Sequence, residues 1–76
     1  MTPEAIRSTM ARALRVDVAR LRDDALLTEV STGSFALIDA VIRIQDALGV
    51  RLVQADLLGV RTVGALVRLL ERKTGS

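Results

Sequence analysis

The sequence predicts an all-α domain: a small helical bundle of three main helices plus one short helix, with a long ordered loop between the first and second helices. Three observations carry that expectation. Apolar residues recur at helical spacing in three separate stretches. Each stretch opens on a residue suited to a helix start: Thr2, Ser34 or Thr62. The middle stretch closes on Gly49, as a helix stop should.

The first helix is expected from about Pro3 to about Leu14. Thr2 caps it, Pro3 suits its first position, and Glu4 faces the positive end of the helix dipole. Ile6, Met10, Ala13 and Leu14 form its core stripe. Residues 15–32 form the long connection. It holds Val16, Val18, Leu21, Leu26, Leu27 and Val30, so these apolar residues should pin it across the helices as an ordered loop. Asp23-Asp24 reads as a solvated turn.

The second helix is expected from Ser34 to about Leu48. On a helical wheel, Leu37, Val41, Ile44 and Leu48 form its buried face. Asp39, Arg43 and Asp46 form a polar stripe, with Ala36, Ala40 and Ala47 beside it. Phe35, Ile38 and Ile42 widen the apolar arc beyond what one core face needs, the first hint of a surface used by partners. Residues 50–53 are a short extended piece. Gln54 to Gly59 forms one or two helical turns. Thr62 caps the last helix, whose core stripe is Val63, Leu66, Val67 and Leu70. Gly64 weakens its first turn by about 1 kcal/mol relative to alanine. Thr74-Gly75-Ser76 should fray.

Length and composition bound the function. Seventy-six residues make one domain at most, with an ordered core over about 3–72. A chain this short buries roughly 60% of its unfolded surface and is marginally stable. There is no cysteine and no histidine, which removes the thiol, the commonest general base and the commonest metal ligand. No catalytic residue and no metal site is expected. The net charge is only +2, and ten arginines are scattered among acids rather than gathered on one face, so no nucleic-acid partner is expected. No apolar run reaches the ~18 residues of a membrane span. No charged-then-apolar leader is visible, and a cytoplasmic location is expected.

Taken alone, Ser34 before an apolar run reads as an unmodified helix cap. The order of residues along the chain adds a second reading. Residues 13–17, Asp24-Ala25-Leu26-Leu27-Thr28-Glu29-Val30, Gly33-Ser34-Phe35, residues 48–52 and Thr62-Val63-Gly64-Ala65-Leu66-Val67 resemble, in sequence and spacing, the landmarks of the acyl carrier protein family. The resemblance runs from about Ile6 to about Leu70. It implies that Ser34 carries 4′-phosphopantetheine, joined through a phosphodiester by a Mg²⁺-dependent transferase that uses coenzyme A. The partners implied are that transferase and an acyl- or aminoacyl-loading ligase, synthase or transferase. The domain itself would not be an enzyme, and a monomer is expected. Ser31 and Thr32 lie outside the expected helix and carry little weight.

Departures from the family sharpen the expectation. Gly33 stands in place of the family's aspartate and Phe35 in place of leucine. Phe35, Asp39, Ile42 and Asp46 are the expected partner contacts. Ala36 and Gln45 stand where acids are frequent, and Arg43 lies one turn from both aspartates. These features point to an acyl carrier of a specialised polyketide or natural-product pathway rather than of general fatty-acid synthesis. The peptidyl-carrier branch has a different Gly-rich lead-in, which favours acyl over aminoacyl cargo. The alternative is a carrier-like domain without the prosthetic group that acts as a protein-binding module.

Overall fold

A computed structural model describes residues 2–75. Met1 lies outside them, as does Ser76, which was expected to fray. Among the described residues the chain forms α1 (Pro3–Leu14), α2 (Leu27–Val30), α3 (Ser34–Leu48), α4 (Gln54–Leu57) and α5 (Val63–Lys73), with a 3-10 turn at Val18–Arg20. They contain no β-strand, and no helix is long and apolar enough to cross a membrane. The three long helices and the short α4 agree with the expected bundle.

Local chemistry sets the helix ends. Thr2 Oγ1 accepts the Ala5 N–H at 3.1 Å, and Thr62 Oγ1 accepts the Ala65 N–H at 3.2 Å. α1 and α3 end alike: the Val16 N–H reaches the Ala11 carbonyl, and the Val50 N–H reaches the Gln45 carbonyl, each across a left-handed residue. In α3 that residue is Gly49; in α1 it is Arg15, at φ 59°. Thr74 and Gly75, where fraying is expected, are tied to the last turn of α5. Their N–H groups bond back to the Leu70 and Arg72 carbonyls at 2.9 and 3.3 Å.

α1 packs chiefly on α3 and then on α5. Ile6, Met10, Ile44, Val63, Leu66 and Leu70 are the largest fully buried side chains. The expected stripe of α5 is buried throughout, and Leu69 joins it. α3 departs from its wheel. Ala40, expected beside the polar stripe, has no exposed surface, whereas Leu37, Val41 and Leu48 are only partly buried. α3 is therefore turned so that a small side chain lies innermost, which lets a neighbouring helix approach closely.

The long connection is more structured than the apolar pattern shows. Leu21, Leu27 and Val30 enter the core; Val18 and Leu26 do not. A helical turn, α2, forms inside it because the Glu29 carboxylate accepts the Leu26 N–H at 3.1 Å. Asp56 does the same for Val53 at the start of α4, at 3.0 Å. The connection is then seamed to the start of α5. The Leu27 N–H bonds the Arg61 carbonyl and the Val63 N–H bonds the Ala25 carbonyl, each at 2.9 Å. The Gly64 N–H bonds the Asp23 carbonyl at 3.0 Å. Asp23 is thus no free turn residue: Arg7 pairs with its carboxylate and also donates to the Leu21 carbonyl at 2.6 Å.

The seam gives Gly64 a role that helix propensity hides. A Cβ at position 64 would stand 3.1 Å from both Cβ and O of Asp23. Asp23 is held at its carbonyl and its side chain, so it cannot easily give way. Propensity alone has Gly64→Ala stabilising by about 1 kcal/mol, but overpacking costs about 1–3 kcal/mol. Gly64→Ala is therefore expected to lower the melting temperature in a thermal denaturation; an increase would show that the seam is loose.

Two carboxylates tie stability to pH. The hydrogen bond and charge of Arg7 hold Asp23 below its ordinary value of 3.8. The Val53 N–H, then Lys73, hold Asp56 below its own, with Lys73 Nζ at 3.1 Å. A carboxyl that is more acidic in the folded state stabilises fully above the unfolded value and loses that contribution as pH falls through the lowered one. Chemical denaturation should show stability dropping below about pH 4. A double variant, Asp23→Asn with Asp56→Asn, should start less stable at neutral pH and show a shallower acid decline.

Candidate functional site

Ser34 is the first residue of α3, and the helix start around it is unusual. The cap position is Gly33, at φ 144° and ψ 174°, a conformation that L side chains rarely adopt. No side chain caps α3, so Ser34 is not the N-cap that its position suggests. Its hydroxyl is exposed and makes no hydrogen bond among the described residues. The first bond of the helix runs from the Leu37 N–H to the Gly33 carbonyl at 3.0 Å. The N–H groups of Ser34, Phe35 and Ala36 are therefore left without backbone acceptors.

This donor set fits a phosphodiester on Ser34. Free N–H groups and the positive end of a 15-residue helix favour an anionic ester. No acidic residue lies in the first turn of α3 to oppose it. Among the described residues, no cluster of three or more acidic, histidine or cysteine side chains is placed to hold a metal ion.

The other expected site residues lie along the same helix. Phe35 is 89% exposed, and Ile42 is 53% exposed. Ile38, one turn before Ile42, is 57% exposed. Asp39 and Asp46 are exposed on this side of α3. Arg43 separates their roles. Its Nε stands 2.8 Å from Asp39 Oδ2, whereas Asp46 has no ion pair among the described residues. One of the two acids is therefore locally neutralised. Ser31 is half-buried just after α2, and Thr32 is exposed.

Two depressions adjoin the helix start. A smaller one includes Ser31, Gly33 and Ser34 and shares Leu37 and Ile38 with a larger, apolar groove. α3 lines that groove with Leu37, Ile38, Val41, Ile42 and Gln45. Leu57 and Val60 line it from α4 and the turn after it, with Leu27 and Leu66 also in its wall. The groove holds about 320 Å³. The excess of apolar surface on α3 is legible in the sequence; the size and lining of a pocket between the helices are not. The groove's walls come from four separated stretches, including Leu57 and Val60, which are partly buried against the core. Gln45, which stands where the family frequently has an acid, has a structural role as well: its Oε1 accepts the Leu52 N–H at 2.8 Å and holds the segment between α3 and α4.

Comparison with known proteins follows the same region. Residues 4–70 match the family described as phosphopantetheine attachment site. The chain is 31% identical over 71 residues to an acyl carrier protein of Thermotoga maritima, covering 92% of this chain and 88% of that one. It is 30% identical over 73 residues to the polyketide-8 synthase acyl carrier protein 2 of Streptomyces avermitilis, covering 95% and 84%. It is 33% identical over 78 residues to the acyl carrier protein MbtL of a Mycobacterium species, covering 96% and 88%.

The glycine at position 33 has an energetic consequence. Nothing lies within 4 Å of a Cβ placed there, so the obstacle to another residue is backbone strain alone. Strain of this kind costs of order 1–3 kcal/mol. Gly33→Ala should destabilise the fold by about that amount in urea denaturation. It should also speed amide exchange in the first turn of α3. An unchanged midpoint would mean that the cap shifts freely to an extended conformation.

Proposed function

The chain belongs to the acyl carrier protein family, whose prosthetic group is covalently attached 4′-phosphopantetheine, and we propose that Ser34 holds that group here. Family members carry groups between enzymes rather than transform them. The arm supplies a terminal thiol on which an acyl chain is held as a thioester. The observation that carries the assignment is the Ser34 hydroxyl: exposed, committed to no hydrogen bond, and set at a helix start with free N–H groups and no nearby acid. The absence of cysteine and histidine from the chain suits a division of labour in which the thiol comes with the arm and catalysis belongs to partners.

The whole chain acts as one carrier domain, monomeric and cytoplasmic, which presents acyl cargo to a phosphopantetheinyl transferase and to loading and processing enzymes. Phe35, Asp39, Ile42 and Asp46 form the surface those partners meet. Since Arg43 neutralises Asp39, that surface is less acidic than its two aspartates suggest. Charge complementarity chooses partners more than it sets affinity. A weakly charged face therefore favours dedicated enzymes of a specialised polyketide or natural-product pathway. Similarity to a polyketide synthase carrier is consistent with this reading.

The assignment is tested by incubating the purified chain with coenzyme A, Mg²⁺ and a broad-specificity phosphopantetheinyl transferase, then measuring intact mass. One phosphopantetheine adduct is expected, and none in Ser34→Ala. No adduct on a folded helical sample would instead favour an unmodified protein-binding module.

A further inference from the structure

We propose that the edge of the bundle between α1 and α3 is a docking surface for an acidic helix of a partner enzyme. This surface does not rest on the assignment of Ser34. Two depressions are each lined by a pair of arginines, and they differ in what balances the charge. In the long connection, Arg20 and Arg22 share their depression with Asp24 and Glu29, and Arg22 lies 3.8 Å from Asp24. That lining carries no net charge. Between the helices, Arg12 of α1 and Arg43 of α3 line a second depression with Thr9, Ala13 and Ala47. No acid is in that lining.

The two guanidinia are available to a carboxylate. Arg12 is exposed and has no ion pair among the described residues. Arg43 gives its Nε–H to Asp39 Oδ2 at 2.8 Å, which uses one of the five donors of a guanidinium. Arg15, three residues after Arg12 on the same face of the chain, is also exposed and without an ion pair. Like charges gathered without a counter-ion repel one another, and a carboxylate brought by a partner relieves that repulsion. Guanidinium and carboxylate also match in shape, through paired N–H donors. Small side chains at Ala13 and Ala47 let a second backbone come close. Glutamates one turn apart on a partner helix would meet one arginine each. The edge is continuous with the face already assigned to partners, because Arg43 is bonded to Asp39.

The test titrates the full chain, without its arm, with an alanine-rich helical peptide that carries glutamates at i and i+4. Arginine Nε–H resonances are followed by NMR. Those of Arg12 and Arg43 should shift together and saturate, while those of Arg20 and Arg22 should move little. Arg12→Gln should weaken binding by about 2- to 5-fold, and Arg20→Gln should leave it unchanged. Salt at about 1 M should abolish it. The same peptide with glutamine for glutamate should not bind. Equal shifts at all four arginines, no saturable shift at Arg12 and Arg43, or equal binding of the glutamine peptide would overturn the proposal. Saturation of the same two resonances by inorganic phosphate at equal concentration would also overturn it, since the edge would then take a small anion rather than a helix. None of these outcomes bears on Ser34, because no arm is loaded.

Discussion

Three main-chain hydrogen bonds between residues 23–27 and residues 61–64 hold the molecule in its working shape. They join the long connection to the start of α5, two segments that no helix links. A helix as short as α2 does not persist alone, and it is held by this seam together with the burial of Leu27 and Val30. The seam brings Leu27 and Leu66 to one groove and fixes where the chain turns toward Ser34. Gly64 permits the close approach, and the Arg7–Asp23 ion pair secures its outer end to α1. A marginal domain thus spends backbone hydrogen bonds and one ion pair on placing a loop, while apolar burial between α1, α3 and α5 supplies its core.

The attachment proposed for Ser34 rests on what surrounds the residue and on what is missing there. An aspartate before the serine would place a carboxylate at the helix start. Gly33 places none, and its backbone takes a conformation that suits glycine. The helix start is left wholly electropositive, which suits a phosphodiester. The same economy runs along α3: among the described residues one acid is paired and one is not, and Phe35, Ile38 and Ile42 stand exposed. Recognition on such a surface depends on shape and desolvation more than on long-range attraction.

Much of this was legible in the residues. Helix starts at Thr2 and Thr62 were readable because hydroxyl caps act over three residues, and Gly49 was readable because a left-handed stop favours glycine. The position of Ser34 and the family landmarks could be read directly. Its freedom from hydrogen bonding could not, since the same residue in the same place would ordinarily cap the helix. Ala40 was misplaced because a wheel ranks residues by polarity, whereas close helix packing selects for small size. Gly64 looked like a weakness because its reason lies 41 residues away, at Asp23.

The sequence by itself determined the helical class, the bounds of the long helices and the serine at the head of α3, because these rest on contacts within a turn or two. Only the tertiary structure decided the seam, the rotation of α3, the pairing of Asp23 with Arg7 and the apolar groove. Each of these joins segments far apart in the chain. Their geometry depends on which side chains are small enough, or free enough of other partners, to let the backbones meet.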